Sequence, residues 1–370
     1  MTTNEDERDD EEEMDPALTA GWEALESGDI EAARTAATSY PADGPLRVEA
    51  LMLKAACERE EGDREAALAT LAEAAKAEPD FATPELWMAE MLLHDGDDLE
   101  AALKHADRAL DLAEEEEEYL AAISTKAAIE LSLERPAEAR KTLKGLPPAD
   151  TVLEDVAMTL DLAQLLLEAG NASDARARLE TLVKASPDEA DAWYYLGVAA
   201  EATGDEERKR AAWTKTRELD VAEAEEHAHH HHHHDAGDSE GSGDDDHGHE
   251  HLTEEALIEV AEETLQEMPE QFRELLGNVP IVVADRPAQA DVEAGMDPRV
   301  LGLFNGSPHG EAGSTSDVPG VTEIVLFRQN LDRVAADEDD LRDEIRITLL
   351  HEAGHFFGLD EEGLERIGLD

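Results

Sequence analysis

The sequence is poor in cysteine, in aromatic residues and in positive charge, and it contains no long apolar run. A single cysteine, Cys57, excludes an internal disulfide and fits a reducing compartment. Its alanine neighbours predict a small packed helix residue rather than a reactive thiol. No apolar run approaches the length that spans a membrane, and the first residues lack the basic start and apolar core of a signal peptide. We therefore expect a cytoplasmic protein with no membrane partner.

Positive charge is scarce because 30 Lys and Arg face 93 Asp and Glu, which gives a formal net charge of -63. A charge of this sign excludes nucleic acid and anionic membranes as electrostatic partners. It favours basic or cationic partners, metal ions included, and it fits a salty cytoplasm equally well. The length of 370 residues predicts two or more domains.

A repeat of 34 residues runs through the first part of the chain. Gly28-Asp29 recurs as Gly62-Asp63, and Gly170-Asn171 recurs as Gly204-Asp205. One intermediate copy, at Arg135-Pro136, lacks the glycine. Each turn lies between two apolar-periodic helices, so the period predicts a helix–turn–helix solenoid of about six units over residues 16–220.

These units resemble tetratricopeptide repeats, most clearly in Trp193-x-x-Leu196-Gly197-x-x-Ala200 after Pro187. The resemblance implies an all-α array that binds a protein or peptide partner and carries no chemistry of its own. We expect the tryptophans to pack between helices rather than to stack on a ligand.

Two low-complexity segments flank this array. Residues 1–15 are an acidic tail, and residues 221–251 are rich in His, Asp and Gly; neither has an apolar period, so both are expected to be disordered. The sequence supports two interpretations of the tract His227–His234 equally. It is a weak multi-site metal binder beside the next domain, or it is a solvated hinge.

Residues 252–370 carry a different pattern of elements. A helix begins near Thr253, and apolar segments at 281–283, 301–306 and 321–327 predict strands. Residues 285–300 are expected to be loop. A final helix over 337–357 leads into the last residues, so this part of the chain is predicted to be an α+β domain.

The final helix contains the pattern H-E-x-x-H-x-x-G. His351 and His355 are four residues apart, so both imidazoles leave one face of the helix and can bind one metal ion. Glu352 can reach a metal-activated water as general base without being a ligand. Gly358 allows the chain to end the helix and turn back. The opposing interpretation is an amphipathic helix whose histidines occur by chance, which the apolar residues on its other faces disfavour because buried imidazoles need partners.

A catalytic zinc site usually has three protein ligands, so a third is needed beyond the helix. Glu361 lies where the longer H-E-x-x-H-x-x-G-x-x-H pattern places that ligand, and Asp360 is the alternative. The sequence therefore predicts one zinc ion on His351, His355 and Glu361.

Residues 252–370 resemble the small zincin-like metallopeptidase family of bacteria. The resemblance covers the leading helix, the segment Leu301-Gly302-Leu303-Phe304-x-Gly306-x-Pro308, the strand Ile324–Phe327 and the run HEAGHFFGLDEEGLERIG. It implies a minimal zincin fold with one zinc ion, His351 and His355 as ligands, Glu352 as base and an acid at 360–361 as third ligand. No methionine follows the motif, so the chain departs from metzincins, which have a Met-turn.

Two functions compete on this basis. The first is a zinc-dependent peptidase whose repeats recruit a partner or substrate, with the strand Val321–Phe327, if it lies at a sheet edge, pairing with an extended peptide. The alternative is a non-enzymatic adaptor in which zinc is structural or buffered. Glu352 favours the peptidase, because a structural site needs no base.

Overall fold

The computed structural model describes residues 15–96, 98–153, 155–231, 254–267, 279–305, 323–335 and 337–356. By compactness the chain divides into two units, Met1–Pro187 and Asp188–Asp370. Among the helices in these ranges, none is long and apolar enough to cross a membrane.

The first part of the chain is entirely helical, in consecutive antiparallel pairs. Five pairs lie in the first unit, and a sixth belongs to the second unit. Their bounds are α1 Pro16–Glu26, α2 Ile30–Ser39, α3 Arg47–Glu60, α4 Arg64–Ala77, α5 Thr83–Asp95, α6 Leu99–Leu112, α7 Glu116–Ser132, α8 Pro136–Thr142 followed by a 3-10 turn at Leu143–Gly145, α9 Val156–Glu168, α10 Ala172–Ala185, α11 Ala190–Ala202 and α12 Glu206–His231.

The turns inside the pairs follow the glycines of the repeat. Gly28, Gly62, Gly96, Gly170 and Gly204 all have φ between 68° and 81°, a left-handed conformation that costs glycine little. Aspartates then cap several second helices: Asp29 accepts from Ala32 N at 3.0 Å, and Asp63 from Ala66 N at 3.1 Å. The turn that lacks a glycine is still formed, because Glu134 takes φ 58° in its place.

The division into compact units falls inside the predicted array 16–220. The sixth pair, α11 and α12, falls in the second compact unit, and α12 continues to His231. The first eleven residues of the predicted linker 221–251 are therefore helical. The rest of that segment, and residues 1–14 of the predicted acidic tail, lie outside the described residues.

The α+β part of the second unit contains a three-stranded sheet. Its elements are α13 Glu254–Glu267, β1 Ile281–Ala284, α14 Gln289–Ala294, β2 Gly302–Asn305, β3 Glu323–Phe327, α15 Arg328–Val334 and α16 Glu338–Phe356. The strand order is β1-β3-β2, with β1 parallel and β2 antiparallel to β3. The register pairs Ile281 with Ile324 and Gly302 with Leu326.

Two short helices were absent from the sequence prediction. α14 lies inside the segment 285–300 that was expected to be loop, so that expectation was wrong for six residues. α15 follows β3 without a break. Both are too short for a helical hydrophobic period to show, and each has a single fully apolar buried residue, Val292 and Leu331 respectively.

Candidate active site

The helix that carries the metal motif is held by one apolar face. Leu341, Ile345, Leu349 and Ala353 repeat at helical spacing and are at most 6% exposed. They form one core cluster with Ile324 and Leu326 of β3 and with Leu257, Val260 and Ala261 of α13. Ile347 lies on another face and is 49% exposed, so the apolar residues of the helix are not all buried. This packing fixes the motif over the sheet.

Glu352 lies at the junction of α16 and β2. Glu352 is 8% exposed, and its Oε2 accepts a hydrogen bond from the backbone N of Phe304 at 2.6 Å. In the pairing of β2 with β3, Phe327 N donates to Leu301 O, so the backbone groups of residues 302 and 304 point away from β3. The outer edge of β2 therefore holds the carboxylate of Glu352.

A glycine makes this junction possible. A Cβ atom at Gly302 would lie 2.6 Å from Cγ2 of Thr348 and 3.2 Å from Cγ of Glu352. Real Cβ atoms do not approach neighbours at 2.6 Å, so only glycine allows β2 to lie this close to α16. Gly302 was part of the family segment in the sequence, but its role as the contact point with the motif helix emerges only from the packing.

The two histidines of the motif lie on the same helix. α16 extends through positions 351 and 355, one turn apart, and His351 is half-buried. Imidazole nitrogens at this spacing, with a buried carboxylate between them in sequence, are the donor set that zinc binds in catalytic sites. The residues present therefore fit a zinc ion held by this helix.

The predicted third ligand lies in the last residues of the chain. Glu361 and Asp360 lie outside the described residues, as do the histidines of the linker from His232 onward. Over the ranges that the structure covers, no three His, Cys, Asp or Glu side chains lie together as a metal-binding group. The assignment of Glu361, with Asp360 as alternative, stays a prediction.

The strand considered for peptide binding does not lie at an edge of the described sheet. β3, which covers most of Val321–Phe327, is the central strand and is paired on both sides. Its backbone groups are therefore committed to β1 and β2. In the described sheet the strands with an outer edge are β1 and β2, and of these it is β2 that bonds to Glu352.

A cavity lies within the repeats of the first unit. It has a volume of about 480 Å³ and is formed by α3, α4 and α5, with Trp87, Met91 and Leu71 beside Arg59 and Glu90. The Trp87 ring contacts Trp22 edge-on at 6.3 Å, and the Arg59 guanidinium lies 5.8 Å from its centroid. Trp87 thus packs between helices, as expected, and also lines this cavity. Burial raises the pKa of the Glu90 carboxyl, against the hydroxyl of Thr125 and the charge of Arg59, which lower it.

Comparison with known proteins agrees with both halves of this description. The family model described as zincin-like metallopeptidase matches residues 276–369. The model described as tetratricopeptide repeat matches residues 18–80 and 160–214. The chain carries a zincin-like metallopeptidase domain C-terminal to tetratricopeptide repeats. The motif helix and β2 thus belong to the metallopeptidase domain, and no match is found among curated proteins.

Several solved structures resemble part of this chain at low sequence identity. A tetratricopeptide repeat protein from Parabacteroides merdae is 14% identical, with a TM-score of 0.40 over 70% of this chain and 95% of that one. The pilF protein of Pseudomonas aeruginosa is 15% identical, with a TM-score of 0.42 over 58% and 96%. MamA of Desulfovibrio magneticus is 21% identical, with a TM-score of 0.38 over 48% and 97%.

Proposed function

We propose that this protein is a zinc-dependent peptidase in which His351 and His355 hold one zinc ion and Glu352 is the general base. The observation that carries the proposal is the hydrogen bond from Phe304 N to Glu352 Oε2. A buried carboxylate next to a metal-binding histidine, and fixed by a strand amide, is oriented for proton transfer before any substrate arrives. A structural zinc site has no use for such a group.

Each residue has a distinct part in this proposal. Zinc, when bound, supplies Lewis-acid polarisation of a peptide carbonyl and of water. Glu352 takes a proton from water and gives it to the departing amine. The outward-pointing backbone groups of β2 other than Phe304 N, which binds Glu352, pair with the backbone of an extended peptide. The tetratricopeptide repeats bind a protein partner, and the cavity beside Trp87 is the candidate contact on the first unit.

The decisive experiment replaces Glu352 with glutamine in the full chain. Gln keeps an oxygen that accepts from Phe304 N but cannot take a proton, so zinc content and melting temperature should hold. Hydrolysis of a peptide library should fall about a hundredfold or more. Glu344→Gln, the same chemical change two turns earlier on α16, is the matched control and should leave hydrolysis unchanged.

A second variant distinguishes the role of a metal ligand from that of the general base. His351→Ala should lose zinc and hydrolysis together, because the metal site loses a ligand and metal binding is coupled to folding. Equal hydrolysis by wild type and Glu352→Gln would show that Glu352 is not the base. If the zinc-loaded wild type cleaves no peptide in the library, the protein is better described as an adaptor with a structural zinc domain.

A further inference from the structure

A cluster of charges centred on the buried Asp220 connects the sixth helix pair to segments beside the sheet of the metallopeptidase domain, within the second unit. We call it the arginine cluster: Asp191 of α11, Asp220 of α12, Arg286, Arg299 and Arg333. Arg299 donates to both oxygens of Asp220 at 3.2 and 3.0 Å and to Oδ1 of Asp191 at 2.6 Å. Arg333 donates to Asp220 Oδ1 at 2.8 Å, and Arg286 Nη1 lies 3.9 Å from Asp220 Oδ2.

Asp220 is the centre of this cluster. Its side chain is 2% exposed, and three guanidinium groups surround it. Removing one partner of a buried ion pair leaves a charge that neither water nor protein stabilises, so such pairs constrain geometry strongly. Bidentate contact with Arg299 adds direction to the attraction. The position of Arg299 relative to α12 is therefore tightly fixed.

Arg299 lies in the segment that leads into β2, and that segment is held from two further sides. Asn330 of α15, which is 2% exposed, donates to Pro298 O at 3.0 Å and to Val300 O at 2.7 Å. Tyr194 of α11 donates to Asp297 Oδ2 at 3.1 Å, and its ring lies 4.8 Å from the Arg299 guanidinium. β2 begins at Gly302, three residues after Arg299.

A continuous path of contacts thus leads from the sixth helix pair to the proposed base. It passes from Asp220 to Arg299, along the segment 297–301 into β2, and from Phe304 N to Glu352. Each link is a buried charge pair, a covalent connection of a few residues or a hydrogen bond. Displacement at Asp220 would therefore be transmitted to the strand that orients Glu352.

We propose that Asp220 is a positioning residue for the metallopeptidase site, acting through Arg299 on β2 and thereby on Glu352. The sixth helix pair, which the repeat period assigns to the partner-binding array, is then a structural part of the catalytic unit. The catalytic consequence rests on the proposed peptidase function, but the control of β2 by Asp220 does not.

The test uses the full chain with three substitutions. Asp220→Asn removes the charge and keeps the shape, and Arg299→Lys keeps the charge but removes the two-oxygen contact with Asp220. Asp285→Asn is the matched control, because it breaks the exposed pair of Asp285 with Arg328 at 2.6 Å in the same unit. Amide hydrogen exchange of residues 299–305 is measured by mass spectrometry, together with kcat and KM for a library peptide.

Asp220→Asn and Arg299→Lys should both speed exchange at 299–305 about tenfold and lower kcat about tenfold or more, with KM changed less than kcat. Asp285→Asn should change neither. Exchange at 299–305 equal to wild type in both cluster variants would overturn the proposal, even if their melting temperatures fall, because the cluster would then only add stability. If Asp220→Asn does not fold, Arg299→Lys alone decides.

The two hypotheses fail in different ways. Faster exchange at 299–305 in a protein whose wild type cleaves no peptide would refute the peptidase and retain the control of β2 by Asp220. Unchanged exchange and unchanged kcat in the cluster variants, alongside loss of hydrolysis in Glu352→Gln, would refute the positioning role and retain the peptidase.

Discussion

Gly302 and Thr348 lie so close that a Cβ atom at position 302 would be 2.6 Å from Cγ2 of Thr348. Gly302→Ala should therefore push β2 away from α16, at a cost of about 1–3 kcal/mol in the free energy of unfolding. The same shift should lengthen the bond from Phe304 N to Glu352 and lower peptide hydrolysis. Thermal unfolding and a kinetic assay measure the two effects.

A second substitution isolates the cause of that loss. Thr348→Ser removes the methyl group that the new Cβ would meet, so the double variant Gly302→Ala, Thr348→Ser should regain part of the stability and activity. Recovery should be incomplete, because Cγ of Glu352 would still lie 3.2 Å from the new Cβ. If Thr348→Ser gives no recovery at all, the contact with Thr348 is not what requires a glycine at 302.

The repeated part of the fold was predictable because its signals are local. A positive-φ glycine followed in the sequence by Asp or Asn marks all of these turns but one, and the period of 34 residues counts the helix pairs. The same local signals do not show the contacts of the sixth pair with later segments of the second unit. One of these joins Asp220 to Arg299, 79 residues later, and no periodicity encodes such a contact.

The sequence predicts the residues of the site but not the contacts that support them. The spacing of His351, Glu352 and His355 follows from the chemistry of a helix that binds a metal. The position of β2 does not, because strand order in a sheet depends on contacts between distant segments. For the same reason the sequence left open whether Val321–Phe327 lies at a sheet edge, and the structure shows β3 as the central strand.

Replacing Glu134 with glycine should stabilise the protein. It has φ 58°, the only positive φ of a non-glycine residue in the described ranges, and it stands where the other repeats have glycine. Glu134→Gly should raise the free energy of unfolding by about 1 kcal/mol, because the left-handed conformation is strained with a Cβ. Urea unfolding followed by circular dichroism measures the change.

The control for Glu134 is the reverse substitution at an equivalent turn. Gly62 has φ 76°, and a Cβ added there would meet no atom within 4 Å. Any loss of stability in Gly62→Ala therefore comes from the backbone alone. It should cost about 1 kcal/mol. A Glu134→Gly variant less stable than wild type would mean that the Glu134 side chain contributes more than its conformation costs.

Glu130 should make the repeats depend on pH. Burial raises the pKa of its carboxyl, and a hydrogen bond of 2.7 Å from Thr142 Oγ1 only partly offsets this. With a folded-state pKa above the unfolded value, the contribution of Glu130 is fully present below the unfolded pKa of about 4.3 and is lost as pH rises through the folded pKa. Glu130→Gln, which is neutral throughout, should therefore gain stability relative to wild type between pH 4 and pH 7.

Measuring the difference between variant and wild type removes the general effect of the large negative charge. Melting temperatures at both pH values give this difference, and Glu73→Gln, at an exposed position of α4, is the matched control. A constant difference between Glu130→Gln and wild type across this range would contradict the raised pKa.

Zinc content of alanine variants identifies the third zinc ligand. A catalytic zinc site usually has three protein ligands, and we propose two of them, His351 and His355, on α16. The extended motif places the third ligand at Glu361, so Glu361→Ala should lose zinc during dialysis while Asp360→Ala retains it. Glu362→Ala is the matched control, since the motif gives the next acid no role. Zinc per chain is measured by atomic absorption, and loss in Asp360→Ala alone would move the assignment to the alternative ligand.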